Sequence, residues 1–371
     1  MREFYSAPSL IDISVTKRCN LKCEYCSASS SPDYDSSNEL TLDEFKEIFK
    51  ELNNLDVHRV ALAGGEPFMR EDFFSILEEA SNYRFATVIN TNGTLITEDI
   101  AKQLTNFNFD RICVTLDGSK PEYHDVHRGA GTFNTTIRGI KLLQKYNLPV
   151  STLFTLNDSN MENLIDCIKF NEILGIQYMT VMVLCPTGRA SNGELLLNKE
   201  RWYPLFLKLT EMIKNNEIKL NFKIVPPNES EVFWLFYFPL KHYDKLDLLP
   251  LWNQKIDQPK GKREISCQAG VKACSIDQNG DIYGCDLMMG IDEFIAGNIR
   301  EQSFEEIWNN SPLFNKFRSF EFDKIKGKCS KCELSWCGAG CRSASYNLNG
   351  DILNSDDSCF YSEEVLCHEN A

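Results

Sequence analysis

The sequence predicts an α/β fold, a partial (β/α)6 TIM-like barrel followed by a cysteine-rich C-terminal domain. Three observations carry this reading. Short apolar, β-branched runs alternate with longer stretches of helical period through residues 9–225, the pattern of parallel strands joined by crossover helices. Pro226-Pro227 then breaks the alternation, as consecutive prolines do. Beyond it, eight of the fifteen cysteines fall between Cys267 and Cys359. The organisation expected is a barrel over 1–225, a bridging region over 226–266 and the cysteine-rich domain over 267–371.

The strands are read at Leu10 to Val15, Val57 to Ala63, Ala86 to Asn90, Arg111 to Leu116, Val150 to Thr155 and Gln177 to Leu184. Helices fit between them at Leu42 to Asn53, Glu71 to Asn82, Glu98 to Phe107, Phe133 to Tyr146 and Asn160 to Leu174. Thr41 ahead of Glu44 and Thr97 ahead of Ile100 are helix-start signals, a hydroxyl placed to accept from the first turn. An amphipathic stretch, Lys199 to Ile213, and a strand at Ile218 to Val225 close the barrel region. Parallel strand-helix units place chemistry on the loops at the strand C-terminal ends. The aromatic run VFWLFYFPL, Val232 to Leu240, reads as a segment packed between domains.

The chain has 371 residues and is 43% hydrophobic, enough for a large domain and a smaller one. Its 39 basic against 53 acidic side chains give a net charge of −14, which disfavours a nucleic acid held by its phosphates. The N-terminus lacks a charged head followed by an apolar stretch, and no apolar run reaches the length of a membrane span. A cytoplasmic protein without membrane attachment is expected. Cytosolic thiols stay reduced, so fifteen cysteines point to metal rather than disulfides.

Cys19, Cys23 and Cys26 form C-x3-C-x2-C directly after the first strand. A cubane cluster usually takes four thiolates, yet no further cysteine occurs until Cys113. One iron is left open, able to chelate the amino and carboxylate groups of S-adenosylmethionine (SAM). The alternatives are a three-thiolate zinc site and three unpaired core cysteines. Gly64-Gly65-Glu66-Pro67 ends the second strand; paired glycines admit close backbone approach, and Glu66 offers an acceptor for an ammonium. Asn90-Thr91-Asn92-Gly93 ends the third strand and Thr115-Leu116-Asp117-Gly118 the fourth.

With these motifs the chain resembles the radical SAM superfamily, whose cysteine signature commonly carries an aromatic residue where Tyr25 stands. The resemblance implies a cluster on Cys19, Cys23 and Cys26 that cleaves SAM to a 5′-deoxyadenosyl radical. It implies SAM contacts from Tyr25, from Gly64, Gly65, Glu66 and Pro67, and from Asn92, Thr115 and Asp117. Thr115 and Arg128 are the candidates for the methionine carboxylate, although Arg128 also fits an ordinary ion pair.

The second cysteine set is Cys267, Cys274 and Cys285, then Cys329-x2-Cys332-x4-Cys337-x3-Cys341, then Cys359. Eight thiols suffice for two cubanes, and paired zinc sites are the alternative. The set is similar to the SPASM domain of peptide- and protein-modifying radical SAM enzymes. That resemblance implies one auxiliary cluster on Cys267, Cys274, Cys285 and Cys341 and another on Cys329, Cys332, Cys337 and Cys359, three 4Fe–4S clusters in all. The four-residue gap between Cys332 and Cys337 departs from the usual five.

Cys113 and Cys167 read as small core residues, and Cys367 sits in a polar tail. Cys185 ends the sixth strand at the barrel mouth, where a thiol either packs or donates hydrogen to a substrate radical. The leading function is oxidative modification of a peptide or protein side chain as a crosslink, a thioether or a formylglycine. In the anaerobic sulfatase-maturating group the third cysteine of the first auxiliary set precedes a catalytic aspartate, and here Asp286 follows Cys285. The runner-up is a heme-maturation enzyme, because Cys337 to Cys359 also resembles the C-terminal segment of that group. Expected partners are a peptide or small-protein substrate and an electron donor such as flavodoxin or ferredoxin. Because the barrel begins within about ten residues of Met1, a separate leader-recognition protein is expected for any leader-bearing substrate.

Overall fold

In β1 (Leu10–Thr16), Ile11, Ile13 and Val15 are buried among apolar side chains, whereas Leu10 and Asp12 face a cavity. This is the period-2 alternation of a strand between two environments. The computed structural model of the chain describes residues 4–227, 233–253, 263–332, 334 and 337–360. Val232, Cys367 and His368 lie outside them.

Six further strands continue in parallel: β2 (Arg59–Gly64), β3 (Ala86–Thr91), β4 (Arg111–Thr115), β5 (Val150–Leu156), β6 (Tyr178–Val183) and β7 (Asn221–Val225). Between them run α1 (Leu42–Asn54), α2 (Phe73–Ala80), α3 (Glu98–Leu104), α4 (Pro121–Arg128), α5 (Thr132–Lys145), α6 (Leu164–Ile173) and α7 (Lys199–Lys214). Every strand and helix read from the sequence in this region is present, with ends shifted by a few residues. Helix α4 was not anticipated.

Local chemistry explains the helix starts. Thr41 and Glu44 form a reciprocal capping box on α1, and Thr97 accepts from the Ile100 amide on α3 at 3.2 Å. Each cap satisfies backbone donors that the helix itself leaves open. Helix α1 buries Phe45, Ile48, Phe49 and Leu52, each burial being worth about 1.5–3 kcal/mol as an upper bound.

The cysteine-rich region joins the same sheet. β8 (Ala273–Ile276) pairs in parallel with β1, and β9 (Asp281–Tyr283) and β10 (Gly297–Asn298) follow antiparallel. The order is β10-β9-β8-β1-β2-β3-β4-β5-β6-β7, so the boundary drawn at 267 runs beside one continuous sheet rather than between two. Arg300 ties this region to α1 through Glu44, at 2.5 Å, and holds the Glu44 carboxyl down at about 2. Arg318 is fully buried and donates to the carbonyls of Gly270 and Trp308. The described part of the aromatic run packs Phe236 on Phe206 and Trp252, and Trp234 edge-on to Phe360.

Candidate active site in a cysteine-lined cavity

The strand ends and the C-terminal region enclose one cavity of about 610 Å³, a size suited to small-molecule sites. Leu10 of β1 and Val225 of β7 both line it, so the sheet curls until its distant strands share one lumen. Cys19, Cys23 and Cys26 reach it from the loop after β1, and Cys267, Cys285 and Cys341 from the C-terminal region.

The paired glycines explain how the first cysteine loop is held. A Cβ on Gly64 would lie 2.2 Å from the Thr16 carbonyl oxygen, and one on Gly65 would lie 2.0 Å from that of Arg18. The Gly65 and Glu66 amides donate to those same carbonyls at 2.7 and 2.9 Å. The close approach expected toward a ligand is therefore, first, an approach to the backbone beneath the cysteine loop, although Gly64 and Gly65 also line the cavity.

The Glu66 side chain, expected to face an ammonium, is turned away from the cavity. It is fully buried, does not line the cavity, and accepts from the Thr91 hydroxyl at 2.7 Å and the Asn92 amide at 2.8 Å. Burial lifts its carboxyl to about 7, against the pull of those hydrogen bonds. Its role is to fix the turn that aims Asn92. Asn92 lines the cavity and donates to Asn20 at 2.9 Å and to the Cys19 sulfur at 3.9 Å. Pro67 is buried at the start of a 3-10 turn and also lies off the cavity.

Asp117 is likewise turned inward. It is fully buried and accepts from the Tyr25 hydroxyl, from Arg128 Nε and from the Thr155 amide. Burial opposes its charge, yet Arg128 holds its carboxyl below the ordinary range. It is a positioning residue for Tyr25 and Arg128, which do line the cavity together with Thr115. Arg128 also sits over the Tyr25 ring at 5.5 Å.

Arg189 and Asp12 escaped the sequence reading. Arg189, on the loop after β6, donates to the carbonyls of Cys23 at 2.6 Å and Ser30 at 2.9 Å, and its own amide donates to Cys26. Gly188 beside it has φ +55, and a Cβ there would meet the Cys26 carbonyl at 2.3 Å. This loop therefore clamps the cysteine loop from above. Asp12 shares the cavity wall with Asp286, and its carboxyl is pushed up to about 8, by burial first and then by the Asp286 charge. Asp286 is half-buried and raised by burial too. The signal for Asp12 was visible: it is the one charged residue in the apolar strand LIDISV.

Among the C-terminal cysteines, Cys337 lies close enough to Cys329 and Cys332 for their charges to add to the rise that burial gives its thiol. Arg263 bridges the carbonyls of Cys332 and Cys337, and Lys328 reaches that of Cys359. Cys285 is raised well above the ordinary thiol range, by burial first and then by Asp286, Cys267 and Cys341. Cys274 departs from the expected set. It pairs with Ile11 and sits with it in the apolar core, off the cavity, because period-2 alternation turns it to the opposite face from Ala273. Cys167 is fully buried as a core residue. Cys113 is only half-buried and accepts from the Ser151 hydroxyl at 3.3 Å.

The residues present fit an iron–sulfur cluster with SAM. Three thiols on one loop share the cavity with the buried Ser30 Oγ, Thr187 Oγ1 and Gln268 Oε1, each without a hydrogen-bond partner among the described residues. Buried polar atoms of that kind cost about 1–3 kcal/mol each unless a ligand or water meets them. Fold and site together define a barrel enzyme built around thiolate-held clusters. The chain belongs to the radical SAM superfamily, whose family model matches residues 13–170, and an iron-sulfur cluster-binding SPASM domain matches residues 267–333.

The AdoMet-dependent heme synthase of Methanosarcina barkeri is 32% identical over 96% of this chain and 97% of its own length. The mycofactocin maturase MftC of Mycobacterium tuberculosis is 26% identical over 98% of this chain and 86% of its own. Among solved structures, Streptococcus suis SuiB bound to S-adenosylmethionine superposes with a TM-score of 0.75 at 20% identity, covering 96% of this chain and 78% of that one. No helix among the described residues is long and apolar enough to cross a membrane.

Proposed function

We propose that this radical SAM enzyme oxidatively modifies a peptide side chain, by crosslink, thioether or formylglycine chemistry, using three 4Fe–4S clusters. The observation that carries the reading is the shared cavity, which brings the Cys19, Cys23 and Cys26 loop together with Cys267, Cys285 and Cys341. SAM on the first cluster supplies, when bound, a 5′-deoxyadenosyl radical that takes one hydrogen atom from the substrate. The residues of the chain provide the rest. Asp117 fixes Arg128 and Tyr25, Arg128 and Thr115 face the methionine carboxylate, and the Gly64-Gly65 backbone faces its amino group. Oxidation also requires the loss of one electron and one proton. Clusters held by the auxiliary thiolates would take the electron, and Asp286, beside Asp12, would accept the proton. An external donor such as flavodoxin or ferredoxin would reduce the first cluster, and a separate recognition protein would deliver a leader-bearing peptide.

A second reading, heme maturation, is favoured by the Methanosarcina barkeri relative and its coverage of nearly the whole chain.

Anaerobic reconstitution should load about twelve irons per chain, four for each cubane. With SAM and reductant the chain should release 5′-deoxyadenosine. Replacing Cys19, Cys23 and Cys26 by Ala should abolish that release while keeping roughly two thirds of the iron. Saturable binding of a heme precursor at roughly micromolar Kd, with its conversion when SAM and reductant are added, would transfer the assignment to the second reading.

A further inference from the structure

The thiols that line the cavity are not the four that the sequence leads one to expect for the first auxiliary site. Cys274 is 1% exposed, pairs with Ile11 across β8 and β1, and packs into the apolar core. Ala273 and Leu10, one residue earlier on each strand, are the ones that line the cavity. Bringing the Cys274 sulfur to the cavity would require a one-residue slip of β8, which would turn every side chain of that strand to the wrong face. The cavity has a further thiol that the barrel supplies. Cys185, just beyond the end of β6, lines it together with Cys267, Cys285 and Cys341, and its sulfur lies 3.9 Å from that of Cys341. These two cysteines are 156 residues apart and pack with Ala344 and Leu287 as a separate small cluster.

We propose that Cys185, and not Cys274, completes the thiolate set of the first auxiliary cluster with Cys267, Cys285 and Cys341. The cluster then joins the barrel to the C-terminal region, because one ligand comes from the loop after β6 and three from beyond residue 266. It also places the cluster on the wall that the sixth strand shares with Arg189 and the SAM-cluster loop. This inference rests on the auxiliary-cluster reading of the C-terminal cysteines, and its test keeps the two apart.

The test uses the full chain with Cys19, Cys23 and Cys26 replaced by Ala, so that only auxiliary iron is counted. This parent should reconstitute with about eight irons and eight acid-labile sulfides, four of each per cubane. Cys274→Ala in that background should keep all eight. Cys185→Ala should fall toward four, or should trade one cubane for a three-iron cluster visible by EPR in its oxidised state. Eight irons and an unchanged reduced-state EPR spectrum in Cys185→Ala would overturn the assignment, as would loss of four irons in Cys274→Ala alone. A parent holding fewer than four irons would instead remove the auxiliary-cluster reading itself. Alkylation of the unsubstituted chain guards against variants that misfold. Cys185 should resist iodoacetamide in the iron-loaded protein and react after chelation strips the iron; equal labelling in both states would also overturn the proposal.

Discussion

Asp117→Asn should destabilise the protein through a charge that it leaves behind rather than through the atoms that it removes. In the native chain the Asp117 carboxylate is fully buried and serves Arg128, Tyr25 and the Thr155 amide together. Asparagine keeps one acceptor but turns an NH2 toward groups that are themselves donors. Arg128, with a side chain 8% exposed, is then left charged and uncompensated. Breaking a buried pair from one side costs about 3–5 kcal/mol. At about 2–4 °C per kcal/mol for a domain of 150–250 residues, the apo chain should melt about 6–20 °C lower by circular dichroism. The loss should be flat between pH 6 and 8. A carboxyl held below its ordinary value lends stability above its unfolded pKa of about 3.9, and that stability disappears only as pH falls through the lower folded value. Two controls sharpen the result. Asp117→Leu with Arg128→Met removes both charges and should recover most of the loss, while Lys46→Ala, in a pair whose side chains are 44% and 89% exposed, should leave the melting temperature almost unchanged. A single variant that melts within 2 °C of the native chain, or a double variant as weak as the single, would refute the reasoning.

Other consequences follow from the same cavity. Glu66, held near 7 by burial against an ordinary 4.5, retains its proton in the folded state where the unfolded chain has lost it. Stability should therefore decline as pH rises from about 4.5 to 7, at up to 1.4 kcal/mol per unit, and pH-dependent melting of Glu66→Gln should be flatter. Gly65→Ala forces a methyl against the Arg18 carbonyl at 2.0 Å, so the first cysteine loop must shift; iron analysis should show about four irons lost, with the auxiliary iron retained. Asp286→Asn should keep its iron and cleave SAM yet lose product by ~10²-fold or more, and Asp12→Asn should lower product less, since it acts through Asp286. Unchanged product in Asp286→Asn, measured with the true substrate, would take both carboxylates out of the chemistry.

Elements of the barrel were legible because their signals are local. Thr41 with Glu44 announces α1, and the period-2 run from Leu10 to Val15 announces β1. Helix α4 escaped because PEYHDVHR carries no apolar period; its buried His124, His127 and Arg128 are polar residues paid for by partners elsewhere in the fold. Pairing of β8 with β1 spans more than 260 residues, beyond what any window of sequence reports. The cysteine spacings named the chemistry but not the ligands: Cys274 fits a family pattern by count, while the pleat of its own strand, ACSI, turns it away. Glu66 and Asp117 stood in the right motifs, yet their carboxylates face inward and act by orienting Asn92, Tyr25 and Arg128.

The placement of Cys185 also bears on how the reaction ends. A substrate radical has two exits: it regains a hydrogen atom, giving an epimer or an isomer, or it loses an electron and a proton, giving an oxidised product. Regaining hydrogen requires a donor on the cavity wall. The thiols there are Cys19, Cys23, Cys26, Cys185, Cys267, Cys285 and Cys341, and if Cys185 binds iron every one of them is a cluster ligand. Tyr25 is the other hydroxyl-bearing ring on the wall, and its O–H is committed to Asp117. Asp286, by contrast, is placed on the wall to accept a proton. The reaction should therefore finish by oxidation. In D2O a crosslinked, thioether or serine-derived formylglycine product should be two mass units lighter than the substrate, with no deuterium at the reacting carbon, and one 5′-deoxyadenosine should be released per product. An isobaric product carrying one solvent deuterium at carbon would show that a hydrogen donor does face the radical, and would argue for Cys185 as a free thiol rather than a ligand.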